Sequence, residues 1–379
     1  MPNAVIAGYS RSPFTIANKG DLKTLRPEDL LSQVINDLIK KSGINPEDIE
    51  DVIAGCAFPE GEQGFNIGKV VTFMCDLPGN VAGMTVNRWC GSSMQSIHNA
   101  AGSIAMGSGE AFICAGVESM TRVPMLGFNP MPHPKLLEDN PNVYLSMGIT
   151  AENVAKQYNI DRKAQQEFAI SSHEKASSAH KKGKFNNEIT PIVTRDGKVT
   201  EDGGIRPGTS QDVLDGLKLA FDQSGSVTAG TSSPLTDGAA ATLICDEEYA
   251  INNNLDILAR IKSIAVNGCA PEVMGLGPIG ASEKALKRAG ITSKELDLVE
   301  LNEAFASQSL ACVRDLELEM EKVNIDGGAI ALGHPLGATG ARITGKAAEL
   351  LKREGKKYAL ATQCIGLGQG IATVLETVN

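Results

Sequence analysis

The sequence lacks the features by which membrane, secreted and nucleic-acid-binding proteins are usually identified. No apolar run in its 379 residues reaches the roughly eighteen residues needed to span a bilayer. The first residues, MPNAVIAGYSRSPF, do not have the charged and then apolar layout of a signal peptide. Acidic residues outnumber basic ones by 45 to 35, and the net charge of −10 opposes binding to phosphate backbones. We therefore expect a cytoplasmic protein that does not insert into membranes and has no nucleic acid partner.

Metal-binding and disulfide motifs are missing as well. The eight cysteines include no C-x-x-C pair, and no histidine completes a zinc motif with them. In a reducing cytoplasm most of these cysteines are expected to be buried and unreactive. We expect no bound metal and no permanently bound cofactor.

The sequence does contain an internal duplication. The segment GINPEDIEDVIAGCA (43–57) aligns without a gap with GITSKELDLVELNEA (290–304). Each segment begins on a glycine at the end of an amphipathic helix, and each passes through an acidic turn into an apolar, strand-like run. The two halves of the chain are therefore predicted to share one structural unit.

The repeated unit predicts an α/β fold. In the first half Cys90 precedes a helix of small residues (about 92–106) and the strand AFICAG, and in the second half His334 precedes a helix (about 338–353) and the strand YALATQ. Alternating strands and helices predict mainly parallel sheets covered by helices. Ligands of such sheets bind at the carboxyl ends of strands, where both Cys90 and His334 fall.

Residues 120–235 differ in character from the two halves. They are rich in proline, asparagine and polar residues, and they contain one amphipathic helix, RKAQQEFAISSHEKASSAHKKG, which ends at Gly183. A long insertion on a duplicated core commonly covers the active face. We predict a first core half of residues 1–119 and 236–257, an inserted loop domain of residues 120–235, and a second core half of residues 258–379.

Cys90 stands at the predicted start of a helix, in TVNRWCGSS. The unpaired N–H groups and the dipole of a helix N-terminus favour a thiolate. Gly91, Ser92 and Ser93 leave the sulfur accessible and can cap the helix. A buried cysteine in a packing turn explains the stretch equally well, so the stretch by itself leaves both interpretations open.

His334 and Asn302 are candidates in the second half. His334 lies in a run with five glycines between residues 327 and 340, where a substrate can approach closely. A core histidine that donates to a carbonyl is the alternative. In LVELNEAFASQ, Asn302 can donate hydrogen bonds into a site and Glu303 can brace the loop, although such residues also occur in ordinary turns.

A second candidate thiol, Cys364, is predicted to lie beyond the final strand. Glycines follow it at positions 366, 368 and 370. Backbone N–H groups in such a segment can bind an oxyanion. A buried cysteine before a glycine-rich strand is the alternative.

Together these four segments resemble the signatures of the thiolase family. The signatures Cys-x-Ser, Asn-Glu-Ala-Phe, Gly-His-Pro and Cys-x-Gly occur in this order at residues 90–92, 302–305, 333–335 and 364–366. The resemblance covers essentially the whole chain, including AGVESM after the first unit and TAGTSSPLTDGAAA (228–241). Four ordered signatures are far more specific than any one of them alone.

The resemblance implies a five-layer αβαβα core of two similar halves, and acyl transfer between coenzyme A thioesters. It implies that Cys90 carries the acyl group, and that His334 takes its proton and forms an oxyanion hole with a water held by Asn302. It further implies that Cys364 is the general acid and base, and that the N–H groups of Cys90 and Gly366 form a second oxyanion hole. Two reactive groups are needed, because the one that holds the acyl chain cannot also protonate the acetyl-CoA enolate.

The resemblance also indicates binding residues and partners. Arg206 and Ser233 match coenzyme A contacts in the loop domain, and Met147, Met274 and Phe305 match the apolar lining of the acyl pocket. Core packing explains the methionines equally well. Acyl-CoA and coenzyme A are the expected partners, both as substrates. Members of the family usually form dimers or tetramers, so a homodimer or homotetramer is expected. A β-oxidation multienzyme complex is a further expected partner.

Within the family, the chain most resembles degradative members. MLGFNPMPHPKLLEDNPNVYLSMG (125–148) looks like the loop segment of 3-ketoacyl-CoA thiolases, and Ser146 stands where short-chain members often have histidine. The expected reaction is cleavage of a 3-ketoacyl-CoA by coenzyme A into acetyl-CoA and a shortened acyl-CoA, in fatty-acid β-oxidation. The alternatives are an acetoacetyl-CoA thiolase that condenses two acetyl-CoA, and a non-catalytic acyl-CoA-binding protein. Trp89 and Gln369 leave the acyl selectivity open.

Overall fold

The computed structural model describes residues 2–378. Its strands are β1 (Ala4–Arg11), β2 (Thr15–Ile16), β3 (Asp51–Gly55), β4 (Ala82–Val86), β5 (Ala111–Ser119), β6 (Ile192–Thr194), β7 (Gly197–Val199), β8 (Thr236–Asp246), β9 (Ala259–Gly268), β10 (Leu298–Leu301), β11 (Tyr358–Ile365) and β12 (Gln369–Glu376). Its α-helices are α1 (Pro27–Ser42), α2 (Ile67–Val70), α3 (Ser92–Ala105), α4 (Pro134–Asp139), α5 (Met147–Gln157), α6 (Arg162–Lys181), α7 (Gln211–Asp215), α8 (Glu247–Asn252), α9 (Gly277–Ala289), α10 (Ala306–Asp315), α11 (Ala329–Leu332) and α12 (Thr339–Glu354). Short 3-10 helices lie at Pro46–Asp48, Gly61–Gln63, Val71–Phe73, Pro141–Tyr144, Ala229–Thr231, Pro271–Leu276, Ser293–Glu295 and Met320–Lys322. The predicted α/β class is confirmed.

Each half of the chain contributes strands to one mixed sheet in the same order. Along the sheet the order is β10-β11-β12-β9-β1-β8-β5-β3-β4, with β2 paired to β8. In the first half β3 and β5 are parallel, while β8 runs antiparallel to both β5 and β1. In the second half β10 and β11 are parallel, while β12 runs antiparallel to both β11 and β9. This repeated topology confirms the duplication.

The strands of the first half (β1, β8, β5, β3 and β4) form one half-sheet, and those of the second half (β9, β12, β11 and β10) form the other. Helices between and outside the two half-sheets complete five layers. In the centre α3 and α12 pack against each other, and Ile97 and Ile343 belong to one apolar cluster that also includes strand residues of both halves. On the outer faces, α1 covers the first half-sheet through Leu31 and Ile35, and α9 covers the second through Ala285. Each helix layer exists because a sheet with an apolar face must bury it against another element. The predicted αβαβα core is confirmed.

The equivalent outer helices, α1 and α9, end in the same way. Gly43 and Gly290 follow them with φ angles of 69° and 70°, and their N–H groups donate to Ile39 and Leu286 respectively. Glycine adopts this left-handed conformation without the steric cost that a Cβ adds. The two glycines therefore terminate equivalent helices, and they are the first residues of the two segments that align in the sequence.

Two expectations about the strands are wrong. Among the strands of residues 2–378, the parallel pairs are β3–β4, β3–β5 and β10–β11, so the sheet is not mainly parallel. The reason is that β12 returns beside β11 through a tight turn, and β8 returns beside β5 after the insertion, without a helical crossover. Cys364 does not lie beyond the final strand, because it belongs to β11 and pairs with Gly370 of β12.

The two halves also differ just before Cys90 and His334. Residues before Cys90 form β4, whereas residues before His334 form the short helix α11. In the second half only a single bridge between Val299 and Val323 occupies the position next to β10. The duplicated units therefore diverge on the side where the candidate site lies.

Residues 120–235 leave the core between two neighbouring strands. β5 ends at Ser119, which pairs with Asp237 at the start of β8. The inserted segment carries α4 to α7 and the β6–β7 hairpin, and its helices α5 and α6 pack against α10, while α6 also contacts α11. The domain boundaries given above stay a prediction. No helix between residues 2 and 378 is both long and apolar enough to cross a membrane.

A buried ionic network joins β1, the inserted segment and α12. Arg11 donates from Nε to Glu188 at 2.7 Å and from its two terminal nitrogens to Asp202 at 2.7 and 2.8 Å. Lys346 of α12 donates to the other oxygen of Glu188 at 2.7 Å and lies 3.1 Å from Asp326. Burial alone raises the pKa of Glu188, but the charges of Lys346 and Arg11 outweigh burial and lower that pKa to about 2. Buried charges are tolerated here because each has a partner.

Replacing Arg11 by methionine is expected to lower the free energy of unfolding by about 3–5 kcal/mol, because Asp202 stays buried without its cation and Glu188 keeps only Lys346. Urea unfolding at pH 7, followed by circular dichroism, measures the change. Arg195→Met is the control, since it removes an exposed arginine 3.4 Å from Asp196, and it should cost less than about 0.5 kcal/mol. Equal losses in the two variants would contradict the importance of the network.

Candidate active site

Cys90 lies in a tight turn between β4 and α3. The N–H of Gly91 donates to the carbonyl of Arg88 at 2.9 Å, and the N–H of Ser92 donates to the carbonyl of Trp89 at 3.0 Å. The Ser92 hydroxyl accepts the N–H of Arg88 at 2.9 Å and donates to the Trp89 carbonyl at 2.5 Å. Trp89 has a φ of 45°, which is uncommon for a residue other than glycine. The turn is therefore closed by its own hydrogen bonds.

Of the three residues expected to cap α3, Gly91 is its N-cap residue, and no side chain caps the helix. The expectation is therefore confirmed for Gly91 and wrong for Ser92 and Ser93. The hydroxyl of Ser93 instead accepts the N–H of Ala341, in the first turn of α12, at 2.8 Å. Ser93 thus satisfies a free N–H at the start of the neighbouring helix and links the two halves of the chain.

The thiol of Cys90 is buried in an apolar cluster with Phe58, Met120 and Leu336. Burial raises the pKa of Cys90 to about 12, and hydrogen bonds from the N–H groups of Gly366 and of Cys90 itself offset only part of that rise. The expected stabilisation of a thiolate at the helix start is therefore wrong for this structure, because desolvation is the larger effect. A thiol that keeps its proton at neutral pH needs a base before it can attack.

His334 is held by one hydrogen bond at each ring nitrogen. Nδ1 lies 2.6 Å from the hydroxyl oxygen of Thr339, and Nε2 lies 3.3 Å from the side-chain nitrogen of Asn302. Because the Thr339 hydroxyl donates to the Pro335 carbonyl at 3.0 Å, we assign the ring hydrogen to Nδ1 and the lone pair to Nε2. Burial, and then the charge of Arg342, lowers the pKa of His334 to about 3. At neutral pH this imidazole is an uncharged base.

The loop after β10 is fixed by Glu303. Its carboxylate accepts the Ser172 hydroxyl at 2.6 Å, the Asn324 amide at 2.7 Å and the N–H of Ile330 at 3.1 Å. The expectation that Glu303 braces this loop is confirmed. The neighbouring Asn302 is fully buried, and its side-chain oxygen has no hydrogen-bond partner among residues 2–378. A buried polar oxygen of this kind is a position where water or ligand binds.

Cys364 shares an apolar cluster with the three residues predicted to line an acyl pocket. These residues are Met147, Met274 and Phe305. Burial raises the pKa of Cys364 well above its ordinary value, and the charge that Cys90 carries when ionised is the next contribution. The structure therefore brings the two candidate thiols within electrostatic reach of each other and gathers the predicted lining around one of them.

The turn after Cys364 is packed against the residue that precedes Cys90. A Cβ atom at Gly366 would lie 2.3 Å from Cε3 of Trp89 and 3.4 Å from the sulfur of Met147. The Trp89 ring also packs on Phe58, with 5.5 Å between the ring centroids. Glycine at position 366 is required by this contact, and Trp89 joins the surroundings of Cys90 to those of Cys364.

The two predicted coenzyme A contacts have different neighbours. The N–H and the hydroxyl of Ser233 both donate to the carbonyl of Ala304, at 3.0 and 3.1 Å. Ser233 therefore adjoins the segment that carries Asn302 and Phe305. Arg206 instead borders a surface cavity of about 410 Å³ beside α6, together with Lys181 and Lys182.

Sequence reasoning missed several residues that hold the site together. Thr339 orients His334, Thr236 accepts the backbone N–H of His334 at 3.0 Å, and the Gln363 side chain donates to the carbonyl of Cys90. Glu118 accepts hydrogen bonds from several loops around Cys90. Only Glu118 had a readable signal, because it is the one charged residue in the strand AFICAGVES.

All eight cysteines are free thiols. Within residues 2–378, no group of three or more histidine, cysteine, aspartate or glutamate side chains is arranged to hold a metal ion.

Comparison with known proteins agrees with this geometry over the full length of the chain. Residues 4–248 match the family model described as thiolase, N-terminal domain, and residues 255–377 match thiolase, C-terminal domain. The 3-ketoacyl-CoA thiolase of Bacillus subtilis is 44% identical, over 99% of this chain and 100% of the relative. That of Shewanella loihica is 47% identical, also over 99% of this chain and 100% of the relative.

Solved structures give the same result. The crystal structure of human mitochondrial 3-ketoacyl-CoA thiolase in complex with CoA matches with a TM-score of 0.92 and 36% identity, covering 100% of this chain and 98% of that one. Both halves of the sequence, both family models and the whole fold point to one family. The chain belongs to the thiolase family of acyltransferases.

Proposed function

We propose that this chain is a 3-ketoacyl-CoA thiolase, which uses coenzyme A to cleave a 3-ketoacyl-CoA into acetyl-CoA and a shortened acyl-CoA. The observation that carries the proposal is the grouping of two buried thiols with an uncharged histidine. Cys90 and Cys364 interact electrostatically, and Leu336, two residues after His334, packs against Cys90. A thioester exchange that also breaks a carbon–carbon bond needs a nucleophile, a base and a separate acid.

Cys90 is the nucleophile, and His334 is its base. The thiol is protonated at rest, and the neutral Nε2 of His334 accepts that proton as the sulfur attacks the C3 carbonyl of the substrate. The bond between C2 and C3 then breaks, and its electron pair forms the enolate of acetyl-CoA. Cys90 keeps the shortened acyl group as a thioester. The assigned tautomer supports this role, because Thr339 occupies the other ring nitrogen.

Cys364 is the acid and then the base. Its thiol donates a proton to the enolate carbon and so releases acetyl-CoA. The resulting thiolate takes the proton of the incoming coenzyme A, whose sulfur attacks the thioester, and Cys90 leaves and recovers its proton from His334. The high pKa values of both buried thiols support this cycle, since each thiol starts and ends protonated.

Two oxyanion holes stabilise the negative charge that develops on oxygen. The N–H groups of Cys90 and Gly366 lower the pKa of the Cys90 thiol, which supports their role as donors to a thioester oxygen beside that sulfur. Protonated Nε2 of His334 and a water on Asn302 serve the enolate oxygen, and the unpaired side-chain oxygen of Asn302 supports a bound water there. Each well-placed donor can lower a barrier by about 3–4 kcal/mol.

The loop domain binds the coenzyme. The cavity bordered by Arg206, Lys181 and Lys182 is suited to phosphate groups, because all three side chains are cationic. Ser233, beside Ala304, contacts the pantetheine part of the coenzyme near the thiols. Met147, Met274 and Phe305 line the acyl pocket, and Trp89 bounds it on the side of Cys90.

A homo-oligomer forms through the edge strand β4. This strand ends the sheet, so one side of its backbone has no neighbouring strand, and Met84 on it is 36% exposed. Beside it Phe65 and Phe73 are 95% and 74% exposed. Exposed strand edges with apolar neighbours pair with other chains, and a second copy would bury both phenylalanines.

The wider setting also belongs to this proposal. A role in fatty-acid β-oxidation, a cytoplasmic location and a multienzyme partner fit a degradative thiolase, and all three stay predictions from the sequence. They do not affect the chemistry described above.

The substrate range tests the proposal directly. Purified protein is expected to cleave medium- and long-chain 3-ketoacyl-CoA in the presence of coenzyme A, with kcat/KM at least equal to that for acetoacetyl-CoA. The loss of absorbance of the 3-ketoacyl thioester over time measures both kcat/KM values. A strong preference for acetoacetyl-CoA would favour a biosynthetic thiolase instead, and no turnover of either would favour a binding protein.

Cys90 is expected to carry the acyl group. Incubation of the wild-type protein with an acyl-CoA should add the mass of one acyl group to the peptide that contains Cys90, because thioester exchange precedes release. Cys90→Ser should show no such gain, and Cys75→Ser, which alters a half-buried cysteine, is the control and should label like the wild type. An unchanged mass gain in Cys90→Ser would overturn the assignment.

The oligomer is expected to dissociate when its apolar edge becomes charged. Replacing Phe65 and Phe73 together by glutamate should reduce the mass measured by analytical ultracentrifugation. The reason is that the desolvation penalty of two buried carboxylates exceeds the free energy gained from the remaining contact. Ile251→Glu, at a 59% exposed position in α8, is the matched control and should leave the mass unchanged. A double variant with wild-type mass would place the interface elsewhere.

A further inference from the structure

Glu118 is a buried carboxylate at the site that the proposed reaction does not use. It lies in β5, is fully buried, and is the one charged residue in that strand. One of its oxygens accepts the N–H of Ala57 and the N–H of Gly337, both at 2.8 Å. The other accepts the N–H of Phe58 at 3.2 Å and the side-chain amide of Gln63 at 2.8 Å.

These donors belong to segments on both sides of the site. Ala57 and Phe58 follow β3 and form part of the apolar cluster around Cys90. Gly337 belongs to the loop that carries His334. A Cβ atom at Gly337 would lie 2.6 Å from the carbonyl oxygen of Val117, so this loop is packed directly on β5. Glu118 therefore joins the wall of the Cys90 cluster to the His334 loop.

The other end of the His334 loop is held in the same way. Glu303 accepts the N–H of Ile330 at 3.1 Å, four residues before His334. Glu118 accepts the N–H of Gly337, three residues after it. One buried carboxylate from each half of the chain thus fixes one end of the loop.

Glu118 is held in its ionised form by these contacts. Each of its oxygens accepts from groups that can only donate, so neither oxygen has room for a hydrogen of its own. Burial raises the pKa of Glu118, while the hydrogen bonds from Ala57, Gln63, Gly337 and Phe58 act against that rise. Its hydrogen-bond donors are all neutral, unlike those of Glu188, and its negative charge is therefore not cancelled locally.

That charge acts on Cys90. The titratable groups of the site are Glu118 itself from β5, Cys364 from β11 and His334 from the loop before α12, while the sulfur of Cys56 lies 3.7 Å from a carboxylate oxygen of Glu118. A negative charge opposes a second one on the Cys90 sulfur, and Glu118 is among the groups that raise the pKa of Cys90. Glu118 thus favours a protonated thiol at rest.

We propose that Glu118 is a positioning residue for the thiolysis proposed above, on which this inference rests: its buried carboxylate fixes the His334 loop against the residues around Cys90, and its charge acts on Cys90. It touches neither substrate nor reacting atoms. Its role is to hold the base at a fixed place relative to the nucleophile and to keep the nucleophile protonated at rest.

Two variants separate the charge from the geometry. Glu118→Gln keeps the size and removes the charge, so Cys90 should be alkylated by iodoacetamide about tenfold faster at a fixed pH near 9. Glu118→Asp keeps the charge and withdraws the carboxylate by one methylene, so the alkylation rate should stay at the wild-type value. Both variants should lose about a hundredfold in kcat for a 3-ketoacyl-CoA, with little change in KM, because the His334 loop is released. Alkylation of Cys75, read from its own peptide, is the internal control and should not change.

The outcomes distinguish this inference from its alternatives. A folded Glu118→Gln protein with wild-type kcat and wild-type alkylation of Cys90 would overturn it. If that variant does not fold, Glu118→Asp still tests it, since wild-type kcat in the aspartate variant excludes a positioning role. If the wild-type protein shows no thiolysis, the proposed function fails, while the alkylation rates still report whether Glu118 acts on Cys90.

Discussion

The N-termini of α3 and α12 approach each other at backbone distance in the central layer, and the site depends on this contact. A Cβ atom at Gly340 would lie 2.2 Å from the backbone nitrogen of Met94, and one at Gly116 would lie 2.1 Å from the carbonyl oxygen of Gly337. Glycine at these positions lets the halves come together, and the hydrogen bond from Ala341 to Ser93 fixes their register. For this reason the loop that carries His334 reaches the cluster around Cys90, through Leu336.

Burial determines the resting state of the reactive groups. The same desolvation that raises the pKa of Cys90 to about 12 lowers that of His334 to about 3, so both are neutral in the free protein. In the proposed reaction, charge separation between them is therefore left to the moment when an acyl thioester fills the site and oxyanion donors are engaged. A resting thiol is also less exposed to oxidation than a thiolate, because oxidation follows thiolate character.

Much of the fold could be predicted because its signals are local. The glycines that end α1 and α9 are visible in the sequence, and so are the four ordered signatures that identify the family. The direction of strand pairing was predicted wrongly, since it depends on how β8 and β12 return beside their neighbours, and no local pattern encodes that. The protonation of Cys90 was also predicted wrongly, because desolvation depends on Phe58, Met120 and Leu336, which come from distant segments. The contacts of Thr339 with His334 and of Ser93 with Ala341 form only in the folded chain, so the sequence around these residues does not predict them.

The position of the inserted segment has a consequence for the order in which the chain folds. β1 has β8 and β9 as its strand partners in the part of the chain that the structure describes, and a single bridge joins its last residue, Arg11, to Ile189 of the insertion. Both partner strands follow residue 235, so β1 cannot complete its pairing until the whole insertion has been made. Closing so long a connection slows folding, because the chain loses conformational entropy before the strand contacts have formed. During synthesis, the apolar edge of β1 is therefore a segment that chaperones would be expected to cover.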